Sequence, residues 1–291
     1  MLNYREINYS EDVPEIIRLL RSSLSENHTE SSFLWKHTES PFGKSYGLLA
    51  CDDSKIVGVR MFMYWDFYGD GKKLKAIRPV DTITHPDYRG KGIFKKLTLQ
   101  GLEVCLKNVD IVFNTPNENS KPGYLKMGWK NYPTQILFKV ALVFPFGSGK
   151  SRLNPVATSA LSLREVDLSR HGFCTHVTQE FIQWRYKDPV YKAVNIGIDN
   201  EEVIIIYRVE TFKGVKMLVI IEALGKKNYR SLALHRLCQY HNIYVVYYLE
   251  NNFTGLKFSI KRNKSVVVYR NDKKNIIDKI SFSAGDLEGR L

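Results

Sequence analysis

Apolar positions along the chain change period from segment to segment. In EDVPEIIRLLRSSL, residues 11–24, Val13, Ile16, Ile17, Leu20 and Leu24 recur every three or four places behind an acidic first turn, which predicts an amphipathic helix. From 46 to 67 the runs YGLLAC and KIVGVRMFMYWDF read as strands parted by a turn at Asp52-Asp53-Ser54, and Gly69-Asp70-Gly71 turns the chain into a third strand, LKAIRPVDTIT. That is an antiparallel meander. Residues 92–107, with Ile93, Leu97, Leu99 and Leu106, predict a helix, and Val109-Asp110-Ile111-Val112-Phe113 a short strand. Strand, crossover helix and strand within about 40 residues form a βαβ unit, so the latter part of this half is expected to be parallel. The half is mixed α and β (α+β).

A strand at 135–140 follows, and then FPFGSGKSRLNP, whose Gly, Ser and Pro mark a linker at 145–158. Gly149-Lys150-Ser151 has the ending of a phosphate-binding P-loop, but the required earlier glycine is Phe144. The second half then repeats the first. Phe33-Leu34-Trp35-Lys36 with Pro41 is echoed by Phe181-Ile182-Gln183-Trp184-Arg185 with Pro189. The strands EEVIIIYRVETF and VKMLVIIEAL flank a Lys213-Gly214 turn, and the helix YRSLALHRLCQY and strand IYVVYYL complete the same order. Two domains are expected, 1–144 and 159–291, related by duplication, in keeping with about 150 residues per domain.

Composition excludes several classes. With 44% hydrophobic and 25% charged residues the chain is an ordinary globular protein. No apolar run approaches the ~18 residues of a membrane span, and the first residues contain no apolar leader core. A cytoplasmic location without membrane association is expected. Cys51, Cys105, Cys174 and Cys238 are widely spaced, with no metal-ligand pairing, so neither a zinc site nor a disulfide framework is expected. The net charge of +13 suits an anionic ligand as well as a nucleic acid, and the basic residues form no arm or basic helix, so no nucleic-acid partner is expected.

The segment carrying chemistry is Thr82-Ile83-Thr84-His85-Pro86-Asp87-Tyr88-Arg89-Gly90-Lys91-Gly92-Ile93-Phe94, between an apolar strand and a helix. The first N–H groups of a helix have no partner within it and lie at the positive end of its dipole. Gly90 and Gly92 let an anion approach the backbone, and Arg89 and Lys91 add charge, a nest for a diphosphate. Read alone, this is also what a capping turn looks like.

Here the sequence resembles the GCN5-related N-acetyltransferase (GNAT) superfamily. Arg89-Gly90-Lys91-Gly92-Ile93-Phe94 matches that family's coenzyme A loop, Q/R-x-x-G-x-G/A, except at the last position, where Phe94 replaces a small residue. A second signature, N-x-x-A-x-x-x-Y-x-K-x-G-F/W, is met at Asn117, Tyr124, Lys126, Gly128 and Trp129, with Ser120 in place of Ala. The resemblance covers about residues 1–144. It implies a GNAT fold with a central mixed sheet flanked by helices, and acetyl-CoA as cofactor. It implies a loop from Arg89 to Phe94 that holds the cofactor, with Asn117 and Ser120 nearby. A main-chain N–H around Val80, Asp81 or Thr82 would meet the thioester carbonyl, and Tyr124 would be a proton donor to sulfur. Pro79 inside a strand pattern points independently to a bulge or an edge at this place.

A base for the acceptor amine is less defined. Asp81 and His85 lead into the loop and Glu222 occupies the matching strand of the second half, while a water chain would serve as well. The second half has Glu222-Ala223-Leu224-Gly225-Lys226-Lys227 where the loop would be, so cofactor binding is expected only in the first. Walling an acceptor pocket, forming a homodimer and stabilising the first half are the roles open to it. The expected function is transfer of an acetyl group to the amine of a small molecule, a nucleotide-linked amino sugar being one acceptor. A non-catalytic acyl-CoA sensor or interaction module is the alternative, because fold resemblance does not separate the two.

Overall fold

The computed structural model describes residues 2–23, 26–144, 153–163 and 172–287, and Gly149-Lys150-Ser151 lies outside them. The first part of the chain forms β1 (Leu2–Glu6), α1 (Val13–Ser23), α2 (Glu30–Thr38), β2 (Tyr46–Asp52), β3 (Lys55–Gly69), β4 (Lys72–Thr84), α3 (Ile93–Cys105), β5 (Ile111–Asn114), α4 (Lys121–Lys126), β6 (Lys130–Asn131) and β7 (Ile136–Leu142). There follow β8 (Val156–Ala157), β9 (Cys174–Thr175), α5 (Gln179–Arg185), β10 (Lys192–Ile198), β11 (Glu201–Phe212) and β12 (Val215–Leu224). The chain ends with α6 (Lys227–His241), β13 (Val245–Leu249), β14 (Phe258–Ser265), β15 (Val268–Arg270) and α7 (Ala284–Leu287).

These elements make two compact units. Unit 1 is Met1–Tyr68, Lys72–Pro133 and Val266–Asp278; unit 2 is Gly69–Gly71, Thr134–Ser265 and Lys279–Leu291.

In unit 1 the sheet runs β1-β2-β3-β4-β5-β15-β6. The meander is present, with β1 and β3 antiparallel to β2. The crossover through α3 makes β4 and β5 parallel, Ala76 opposite Ile111 and Ile77 opposite Val112. The apolar stripe read in the first helix is buried: Val13, Ile16, Ile17 and Leu20 pack with Phe33, Leu49, Val59 and Met61. A side chain so removed from water contributes about 1.5–3 kcal/mol. Ile93 and Leu97 of α3 join Leu48, Ala50 and Val57, and at Gly101 a Cβ would strike the Phe62 ring, so the helix sits close on the sheet. Helix α2 starts at a capping box in which Thr29 and Ser32 exchange side-chain bonds with each other's N–H groups.

The sheet of unit 2 runs β8-β10-β11-β12-β13-β7-β14, with β12 and β13 parallel. Helix α6 buries Ala233, Leu234, Leu237 and Cys238 against Val203, Ile205, Leu218 and Ile220. The order α2-β2-β3-β4-α3-β5 therefore recurs as α5-β10-β11-β12-α6-β13, which is the duplication. The next strand in each sheet comes from elsewhere. Beside β5 lies β15, which follows the second repeat, and beside β13 lies β7, which follows the first; both pairings are antiparallel.

The four cysteines are buried. Among the described residues no helix is long and apolar enough to cross a membrane, and no cluster of His, Cys, Asp and Glu forms a metal site.

Candidate active site

Past the last β4–β5 pair, unit 1 opens into a cavity of about 350 Å³, lined on one side by Pro79–Thr84 of β4 and on the other by Asn114–Asn117. Strand β4 lies between β3 and β5, but its ladder with β5 ends at Ile77 and Val112, so Pro79 stands where the β5 side of β4 is open. The irregularity comes two residues later. Asp81 has φ +41°, and among the described non-glycine residues with positive φ it is the one inside a strand. Such a conformation costs about 1–3 kcal/mol and persists only where the surroundings impose it. A left-handed residue within a strand is the kind of irregularity at which a bulge can release main-chain N–H groups from the ladder.

Tyr124, buried on α4, reaches the cavity from below. Its Oη accepts from Arg60 Nη2 at 2.6 Å and from Asn114 Nδ2 at 2.7 Å. A phenol has two acceptor sites and one proton; with both acceptors filled, its O–H is left as the donor. Phe94 and Trp129 hold the ring by edge contacts, with centroids at 5.8 and 5.0 Å. Thus Phe94, the departure from the family loop, lines the cavity and fixes the orientation of Tyr124.

Arg60, on β3, is 1% exposed. It donates through Nη1 to Thr82 Oγ1 and lies over the rings of Phe62, Phe94 and Tyr124. These contacts provide no carboxylate, so a buried positive charge stands behind the phenol and the splayed strand.

Asp81 is a less apt base than its place suggests. Its side chain, 12% exposed, accepts from Lys36 Nζ at 2.9 and 3.0 Å and lies 2.7 Å from His37 Nε2. Burial pushes its pKa up, but the Lys36 charge and the His37 bond outweigh this and hold it well below the usual carboxylate range. His37 is fully buried and kept neutral chiefly by desolvation. The network assigns its tautomer: Nε2–H donates to Asp81, and Nδ1, 3.0 Å from Ser45 Oγ, accepts.

Of the residues read as candidates, the structure brings Val80, Asp81, Thr82, Phe94, Asn117, Ser120 and Tyr124 to this cavity. Asn117 Oδ1 and Ser120 N meet at 2.9 Å, capping the entry to α4. His85 is not among them; it lines a separate cavity with Glu15, Lys55 and Ile56, because the turn at Pro86–Tyr88 caps on its ring. Glu222 belongs to unit 2, buried and accepting from Tyr186 and Ser283. Arg89, Gly90, Lys91 and Gly92 are exposed at the start of α3. Gly90 and Gly92 have φ of +78° and +75°, with no atom within 4 Å of an added Cβ. That open cradle at a helix N-terminus fits a diphosphate. The Ile93 side chain is core, leaving only its N–H for such a role.

Arg60, Asn114, Lys36 and His37 escaped the sequence reading. Arg60 alone had a signal, as a single cation within the apolar run Ile56–Trp65.

Residues 3–131 match the family model of an acetyltransferase (GNAT) domain. No curated protein matches the chain by sequence. Solved structures share its fold at low identity. A GCN5-related N-acetyltransferase of Anabaena variabilis ATCC 29413 is 14% identical, with TM-score 0.72 over 95% of this chain and 73% of that one. A protein of Enterococcus faecalis V583 named a probable N-acyltransferase is 12% identical, with TM-score 0.71 over 96% and 73%. A GCN5-related N-acetyltransferase of Kribbella flavida is 14% identical, with TM-score 0.63 over 96% and 72%. The domain match is thus confined to the first part of the chain, residues 3–131, while the fold shared with these solved structures extends over nearly its whole length.

Proposed function

We propose that the protein is an acetyl-CoA-dependent N-acetyltransferase acting in the cytoplasm on the amine of a small molecule. When bound, the cofactor supplies an acetyl group already activated as a thioester. The N–H groups from Gly90 to Phe94, with Arg89 and Lys91, hold its diphosphate, and main-chain N–H groups of Val80–Thr82 face the acyl oxygen. Tyr124 Oη holds the proton that the departing sulfur takes. Asn117 and Ser120 shape the wall beside it. Because Asp81 is committed to Lys36 and His37, the amine proton leaves through solvent at the mouth of the cavity.

The observation that carries this reading is the hydroxyl of Tyr124, whose two acceptor sites are filled by Arg60 and Asn114. Incubation with acetyl-CoA and an amine library that includes nucleotide-linked amino sugars, read by mass spectrometry, tests it. Acetylated product from some amine is expected. Tight cofactor binding with no product from any amine would leave a sensor instead.

A further inference from the structure

An acid on the third strand of the repeat, gripped by the helix that precedes the repeat's strands, occurs in both units. In unit 1, Lys36 and His37, directly after Trp35 of α2, hold Asp81 of β4. In unit 2, Tyr186, two residues after Trp184 at the end of α5, donates to Glu222 of β12 at 2.8 Å, and Ser283 adds a bond at 2.6 Å. Each gripped acid lies at a backbone irregularity. β4 has the left-handed Asp81, and in β12 the pairing with β11 passes from Glu222 to Ile220, skipping Ile221. Yet unit 2 has no counterpart of the Arg89–Gly92 loop. An acid that recurs where the anion loop is missing belongs to the architecture of the strand and not to proton abstraction.

We infer that Lys36, His37 and Asp81 form a conformational lock that holds β4 in its splayed, positive-φ form and so keeps the Val80–Thr82 amides aimed into the cavity. These three are positioning residues for the reaction proposed above, and the inference rests on that reading. The lock is closed on every side. Lys36 and His37 descend from α2, whose start is fixed by the Thr29–Ser32 box; His37 is anchored to Ser45, and Ser45 N in turn donates to His37 O at 2.8 Å. Relaxing Asp81 to a negative φ would withdraw its carboxylate from both donors and leave an ammonium buried. The strained backbone is thereby tied to a buried charge pair, and neither gives way without the other.

Glycine takes a positive φ at no steric cost, and alanine does not. A lock acting through the backbone therefore predicts that Asp81→Gly keeps far more function than Asp81→Ala, whereas a general base predicts equal losses. On the lock reading, kcat of Asp81→Ala lies on the order of tenfold to a hundredfold below that of Asp81→Gly. Binding supplies a readout free of turnover: calorimetry with acetyl-CoA and with S-ethyl coenzyme A, which lacks the thioester carbonyl. Wild-type protein and Asp81→Gly should prefer the acetyl form, and Asp81→Ala should lose the preference. Should Asp81→Ala not fold, Lys36→Met, which leaves residue 81 intact, should show the same loss of preference. Equal losses in Asp81→Gly and Asp81→Ala, in turnover and in preference, would overturn the lock alone. A wild-type protein that binds neither compound would overturn the reading of the cavity, and the lock with it.

Discussion

Replacing Tyr124 by Phe removes one oxygen and keeps the ring, with its edge contacts to Phe94 and Trp129. Two donors lose their acceptor, Arg60 Nη2 and Asn114 Nδ2. A bond from a charged donor contributes roughly 1.5–3 kcal/mol and one between neutral groups roughly 0.5–1.5 kcal/mol. Water entering from the cavity recovers part of this, so the expected destabilisation is about 1–3 kcal/mol, read from urea midpoints. The effect on turnover should be larger. A positioned proton donor contributes about 10²–10⁴-fold, or roughly 3–5 kcal/mol of barrier. With saturating acetyl-CoA and the amine found by the library screen, coenzyme A release followed with a thiol reagent gives kcat. The loss should fall on kcat, with KM for acetyl-CoA held within about threefold, because the hydroxyl acts on the departing sulfur more than on the bound cofactor. A folded variant with kcat within about threefold of wild type would refute the assignment of Tyr124 as proton donor.

Three other outcomes follow from the same geometry. Gly92→Val places a β-branched residue at φ +75° with free space around its Cβ, so the fold should survive while coenzyme A binding weakens at least about tenfold by calorimetry; an unchanged Kd would remove the loop from the site. Arg60→Met deletes a buried cation with no carboxylate partner, so stability should stay within about 1 kcal/mol of wild type or rise, while kcat falls at least about tenfold; wild-type turnover would show that the charge does not serve the phenol. Asp81 and His37 both have folded pKa values below their unfolded ones, so each binds fewer protons folded than unfolded and stability rises with pH across its window. Stability should therefore fall as pH drops below about 6.5 through His37 and further below about 3.9 through Asp81. His37→Gln should flatten the upper part of that curve in urea titrations between pH 7 and 5, and a slope equal to wild type would show that His37 does not set it.

Local physics was enough to read much of this molecule. Helix α1, the β2–β4 meander, α3 and the parallel β5 follow from period and turn chemistry, which act over a few residues. Gly90, Gly92 and Tyr124 could be singled out as candidates because the glycine loop and the phenol each lie within a short motif. What escaped the reading depends on distance. Lys36 meets Asp81 across 45 residues and Arg60 meets Tyr124 across 64, and no local pattern announces such encounters. His85 was read toward the site because it lies on the approach to the loop; the turn begun by Pro86 carries it to another cavity. Strand β15 enters the sheet of unit 1 from the far end of the sequence, and nothing in its three residues signals that destination.

The crossed strands have a consequence for how the chain is made. The first sheet cannot be completed when β6 has been synthesised at Asn131, because the piece that joins β5 to β6 begins at Val268. During translation of everything between, the N-terminal half waits with an open seam, a long-range closure that slows folding and calls for protection from aggregation. No single proteolytic cut or gene break then yields two self-sufficient halves. Removing the second repeat together with the chain that follows would also take β15 out of the first sheet, so the unit that carries the candidate site depends on the chain beyond the repeat.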